Sequence, residues 1–100
     1  MARKIPIKIR LIPGFGIKVD PETFHVSANN RDFVEWSCDA CGFEVDFGAF
    51  SPFATSKFGS PRAGSVPSGP AVAPASDKRP YKYTVTAGGY SVDPDGEVDP

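Results

Sequence analysis

The chain has 100 residues, 40% of them hydrophobic, and a net charge of −1. This length provides one domain with a single modest core, so we predict one domain over residues 1–100. The near-neutral charge gives no general attraction to nucleic acid or anionic membranes, and no segment contains the ~18 apolar residues of a membrane span, so neither partner is expected.

The N-terminal segment predicts two strands. Apolar and polar residues alternate over residues 4–11, as in a half-buried strand. Pro6 lies on the polar side and cannot donate to a neighbouring strand, which favours an edge position. Pro13 and Gly14 then break the pattern, and alternation resumes over residues 15–19.

The charges are unevenly distributed along the chain. Residues 1–18 carry five cations and no acid, whereas residues 93–100 carry four acids. These charges are either the solvent-facing sides of strands or, for the cations, a basic patch for an acidic partner. Lys8 and Arg10 interrupt the apolar run that a signal peptide would need, so we expect a cytoplasmic protein.

The central segment predicts three more strands. They are marked by Phe24 with Val26, by Val34 with Trp36, and by Phe43, Val45 and Phe47. A polar run over residues 29–32 closes the first of them. No window places apolar residues at the spacing i, i+3, i+4, i+7, so little helix is expected.

Residues 59–76 are of low complexity, since fifteen of the eighteen are Gly, Pro, Ser or Ala. Such a composition buries little apolar surface and predicts one long flexible loop. Strands resume over residues 81–87 and 90–98. About seven short strands and almost no helix predict an all-β fold, a Greek-key β-sandwich.

Three short patterns resemble the cupredoxins, the family of blue-copper β-sandwiches. They are Val34-x-Trp36 followed by Phe43-x-Val45-x-Phe47, then Tyr81-x-Tyr83-x-Val85, and the segment at 17–21. The resemblance covers most of the chain and implies a cupredoxin-like sandwich.

The copper ligands of that family are missing from this sequence. A type 1 copper site needs two His and one Cys, usually with a weak axial Met. Phe43 stands where the first His would fall, Val85 where the Cys would fall, and Gly88 near the second His. The sole histidine, His25, lies in another strand, and Met1 is the only methionine. We therefore expect no copper centre and no other bound cofactor.

Cys38 and Cys41 lie in a C-D-A-C-G turn that resembles a zinc knuckle. A structural zinc site needs four ligands, so His25 and a carboxylate such as Asp39, or a second chain, would have to complete it. Redox chemistry is a weaker hypothesis, because a turn between strands lacks the helix dipole that lowers a thiol pKa. A disulfide and two thiols without a role remain open.

The resulting hypothesis is a non-enzymatic binding module, either monomer or homodimer. A protein partner is predicted to contact residues 50–76, provided that some of four phenylalanines are exposed rather than core; these are Phe47, Phe50, Phe53 and Phe58. The alternative is a zinc protein that uses Cys38 and Cys41, either within one chain or at a dimer interface. No catalytic site is predicted.

Overall fold

The computed structural model describes residues 3–49, 51–72 and 80–99. This part of the chain forms eleven strands: β1 (Lys4–Ile12), β2 (Gly16–Asp20), β3 (Thr23–Ser27), β4 (Phe33–Cys38), β5 (Phe43–Asp46), β6 (Lys57–Ser60), β7 (Gly64–Pro67), β8 (Tyr81–Lys82), β9 (Thr84–Ala87), β10 (Tyr90–Val92) and β11 (Asp95–Asp99). The described residues contain no helix that could cross a membrane.

The strands form three sheets, in the orders β2-β1-β4-β7, β10-β9-β5-β6 and β3-β11-β8. Two pairings are parallel, β1 with β4 and β3 with β11, and the others are antiparallel. Only Tyr83 separates β8 from β9, so one run of chain takes part in two sheets. The predicted all-β class is confirmed, and the sheets enclose one apolar core as in a β-sandwich.

The alternating pattern of β1 has the expected consequence for burial. Ile7 and Ile9 are buried, while Lys8 and Arg10 are exposed. The predicted edge position is wrong for β1 as a whole, which lies between β2 and β4, but it holds locally at Pro6. Pro6 is tolerated there, since β2 pairs with β1 only from Lys8 onward and Pro6 lies beside β4 alone.

Aromatic side chains fill the middle of the core. Trp36 is fully buried, and neighbouring ring centroids lie 4.8 to 6.4 Å apart. The rings in contact are Phe24, Trp36, Phe47, Phe53, Phe58 and Tyr83. Phe47 and Phe53 are therefore core residues, and Phe58 packs partly buried against Trp36 with centroids 4.9 Å apart. Phe50 lies outside the described residues.

The prediction of one long loop over residues 59–76 is wrong for the first part of this segment, which contains strands. The predicted number of about seven strands is also too low. β6 ends at Ser60 and pairs with β5, while β7 covers Gly64–Pro67 and pairs with β4. Ser68 continues the attachment, because its N–H donates to the carbonyl of Val34 at 2.8 Å and its Oγ accepts from the Val34 N–H at 2.9 Å. Residues 73–76 lie outside the described part.

Asp32 holds the N-terminal segment against the turn that leads into β4. Its fully buried carboxylate accepts from the backbone N–H groups of Arg3 and Ser27, each at 2.9 Å, and from the Arg3 guanidinium at 2.9 and 3.2 Å. Burial acts to raise the pKa of Asp32, but these hydrogen bonds and the Arg3 charge outweigh it and leave the pKa below its ordinary value.

Candidate metal and contact sites

The two cysteines face each other across the turn between β4 and β5. Cys38 is the last residue of β4, and both cysteines are free thiols whose Sγ atoms lie 3.8 Å apart. A tetrahedral zinc ion with Zn–S bonds of about 2.3 Å also holds two sulfur ligands about 3.8 Å apart. The turn therefore places two sulfur atoms where both can reach one metal ion.

Two other loops hold this turn in place. A Cβ on Gly42 would lie 2.6 Å from the carbonyl oxygen of Pro61, so only glycine permits the close approach to the β6–β7 connection. On the other side, the backbone N–H of Gly88 donates a hydrogen bond to the Cys41 thiol. The pair is thus fixed between the β6–β7 and β9–β10 connections.

The environment of the thiols does not activate them. Burial, and then the hydrogen bond and charge of Cys38, raise the pKa of the Cys41 thiol, while the Gly88 N–H acts in the opposite direction with a smaller effect. Redox-active cysteines have lowered pKa values, so this arrangement disfavours the redox hypothesis.

The residues predicted to complete a zinc site are not brought to the cysteines. Within residues 3–49, 51–72 and 80–99, no group of three or more His, Cys, Asp and Glu side chains could hold a metal ion. His25 is exposed on β3, with its Nδ1 3.2 Å from Glu97 Oε2, and Asp39 is an exposed turn residue. Metal binding by Cys38 and Cys41 stays a prediction.

Two of the three residues that the cupredoxin resemblance aligns with copper ligands are core side chains. Phe43 on β5 and Val85 on β9 are buried, and Ala87 lies directly opposite Phe43. Gly88, at the third position, presents its backbone to Cys41 rather than a side chain.

Exposed apolar residues gather near the cysteine turn. Phe15, in the β1–β2 turn, is 88% exposed, and Ile12 and Tyr90 are 41% and 40% exposed. A hydrogen bond from Phe15 N–H to Ile12 O at 2.9 Å joins two of them across the turn, and the Tyr90 ring lies beside the next residue, Gly16, 3.6 Å from where its Cβ would be. We call Ile12, Phe15 and Tyr90 the apolar tip. The exposure of Phe15 has no signal in the sequence, because this residue fits the alternation of a strand.

Cations lie beside the apolar tip on the outer face of β1 and β2. Arg10 stands directly opposite Lys18, and Lys8 stands opposite Asp20. No ion pair of Lys8, Arg10 or Lys18 occurs within the described part of the chain. Lys8 and Arg10 also line an open groove of about 340 Å³ whose other wall includes Asp39 and Ala40 of the cysteine turn.

Comparisons with protein-family models, with curated proteins and with solved structures found no match. The site must therefore be interpreted from its own residues.

The predicted partner surface over residues 50–76 offers fewer apolar side chains than expected. Phe53 is buried and Phe58 packs on Trp36, so neither ring forms an exposed patch. Among the described residues of this region, the exposed large apolar side chain is that of Val72, which is 60% exposed. A partner at this surface stays a prediction that now depends on Val72.

Proposed function

We propose that this protein is a non-enzymatic binding module built on a cupredoxin-like Greek-key sandwich without a type 1 copper centre. The two parallel pairings support the Greek-key topology, because they require the chain to cross between sheets instead of running as successive hairpins. The buried Phe43 and Val85 at the expected ligand positions support a sandwich whose copper ligands have been replaced by core residues.

The single observation that carries the binding role is the exposure of Phe15. A phenylalanine that is 88% exposed contributes nothing to the core, and it lies beside two further exposed apolar residues, Ile12 and Tyr90. Contiguous exposed apolar groups on a soluble domain mark interaction sites, and large aromatic side chains supply much of the binding energy there. The apolar tip is thus the proposed contact surface.

The charges next to the tip define the chemistry of the partner. Arg10 and Lys18 are directly opposed on adjacent strands, which is unfavourable for like charges, and Asp20, opposite Lys8 on the same face, offsets only part of the charge of these three cations. A partner segment with a large apolar side chain and flanking carboxylates would cover Phe15 and neutralise this pair. The proposed partner is therefore an acidic protein segment with an apolar anchor.

Selection of random displayed peptides against the protein tests this proposal. Enriched peptides should combine apolar and acidic residues, and Phe15→Ser should weaken their binding by about 30-fold, the loss expected of an interface hot spot. The double variant Arg10→Glu/Lys18→Glu should also weaken binding, and added salt should do the same for the wild type.

Val72→Ser is the control, since it removes the exposed apolar side chain of the other predicted surface, 60% exposed against 88% for Phe15. It should leave peptide binding unchanged. If Val72→Ser abolishes binding while Phe15→Ser does not, the contact surface lies in residues 50–76 and the role of the tip is refuted.

A zinc protein is the second candidate, favoured by the 3.8 Å separation of the two Sγ atoms. Two chains would each donate Cys38 and Cys41 to a four-thiolate site. Purified protein should then contain half a zinc per chain, and chelation should dissociate the dimer. Metal-free protein that remains dimeric, or monomeric protein after addition of zinc, would exclude this assembly.

A further inference from the structure

We propose that Cys38 and Cys41 of a single chain bind one soft monovalent cation, of the class of Cu(I) and Ag(I), through their two thiolates. This site does not depend on the proposed contact surface, and it differs from a blue-copper centre because no histidine takes part. Ligand number, burial and the surroundings of the turn each point to this ion class.

The number of ligands favours a monovalent ion over zinc. Zinc in structural sites takes four ligands, whereas the described residues bring no third His, Cys, Asp or Glu to the two sulfurs. Soft monovalent cations with a filled d shell prefer thiolates and are satisfied by two of them. Two thiolates in one turn are thus a sufficient ligand set for such an ion and half a ligand set for zinc.

The burial of Cys38 also favours a monovalent ion bound within one chain over a zinc ion shared between two chains. A zinc ion shared between two chains needs both sulfurs of each chain at the surface. Cys38 is only 1% exposed and belongs to the apolar core, whereas Cys41 is half-buried. An ion that enters beside Cys41 and contacts both sulfurs within one chain requires no second chain to reach Cys38.

The surroundings of the turn suit a complex of one negative charge, which two thiolates form with a monovalent cation. Lys8 and Arg10 line the groove beside the turn and outnumber the one acid that lines it, Asp39. The contacts of Gly42 and Gly88 also hold the turn in position before any ion binds.

Binding is a simple exchange of protons for metal. Two S–H bonds break, two metal–sulfur bonds form, and two protons pass to the solvent. The oxidation state of the cation does not change, so no oxidant or reductant takes part. Because the thiols must lose their protons, the apparent affinity should rise with pH.

Anaerobic titration with Cu(I), supplied as its coloured bathocuproine disulfonate complex, tests the proposal. The wild type should withdraw one Cu(I) per chain while it remains a monomer in size-exclusion chromatography. Cys41→Ser should lower the affinity more than about 100-fold, beyond the range seen when only a supporting partner of a ligand is lost. Ala40→Ser, at an exposed position of the same turn, changes neither a charge nor a thiol and should bind as the wild type does.

A second measurement does not depend on whether a cysteine variant folds. One equivalent of Ag(I) should protect the half-buried Cys41 thiol from the alkylation by iodoacetamide that the metal-free wild type undergoes, as measured by mass spectrometry. Phe15→Ser should retain Cu(I) binding, so loss of the contact surface and loss of the metal site can be told apart. Failure to withdraw Cu(I), an unprotected Cys41 thiol, or half an equivalent of metal in a dimer would each overturn the proposal.

Discussion

The free energy of unfolding is expected to fall by about 3 kcal/mol when Gly96 is replaced by alanine, at the upper end for an overpacked core. Gly96 is buried in β11, directly opposite Phe24 of β3, and an added Cβ would overlap the Phe24 ring. That ring is itself confined by the rings of Phe53 and Tyr83 and cannot withdraw without disturbing them. Urea denaturation of both proteins measures the difference.

Gly64→Ala is the matched control for this substitution. Gly64 also lies in a strand, but the nearest atom to an added Cβ is 3.8 Å away, so the change should cost less than about 0.5 kcal/mol. The double variant Gly96→Ala/Phe24→Leu should be more stable than the sum of its single changes predicts, because the smaller side chain relieves the overlap. Strict additivity would show that Phe24 is not the obstacle.

Asp32→Ala is expected to lower the free energy of unfolding by about 3 kcal/mol, the scale of a lost hydrogen bond to a charged group together with a buried donor left unpaired. The Ser27 N–H loses this acceptor, and so do the backbone N–H and the guanidinium of Arg3. Asp39→Ala, an exposed acid in a turn, should change stability by less than about 0.5 kcal/mol.

The effect of Asp32 should depend on pH. Its folded-state pKa lies below the ordinary value, so its contribution to stability is complete above a pH of about 4 and is lost as the pH falls through the folded-state pKa. The difference between wild type and Asp32→Ala, measured by denaturation from pH 7 to pH 2, should therefore shrink in acid. A difference that stays constant over this range would contradict the role assigned to the carboxylate.

The sequence predicted the strands whose side chains alternate. Ile7 and Ile9 in β1, and Phe43 and Val45 in β5, are buried as their spacing indicates. By contrast, β7 contains Gly64 and Ser65, and its place in the sheet depends on backbone hydrogen bonds to β4. The composition of this segment reflects only its side chains, so it predicted a flexible loop where backbone hydrogen bonds form a strand.

Two features of the structure could not be predicted from the residues that neighbour them in the sequence. Asp32 closes a polar run that predicts a solvent-exposed turn, yet its partner Arg3 lies 29 residues away. Phe15 matches a strand pattern, but the hydrogen bond from its N–H to Ile12 places it in the turn. The cysteine spacing did predict that Cys38 and Cys41 lie close together, whereas the absence of a third ligand among the described residues required coordinates.

The parallel pairing of β3 with β11 imposes an order on folding. Thr23 and Asp95, whose side chains share a hydrogen bond, are 72 residues apart. During synthesis, β3 leaves the ribosome long before β11 exists, so the β3-β11-β8 sheet cannot assemble until almost the whole described chain has emerged. Contacts of such long sequence separation slow folding, because a large loop must close before any of them forms. Until then the nascent chain exposes the strand edges and aromatic residues that later form the core, which makes early release or truncation before Asp95 a route to aggregation.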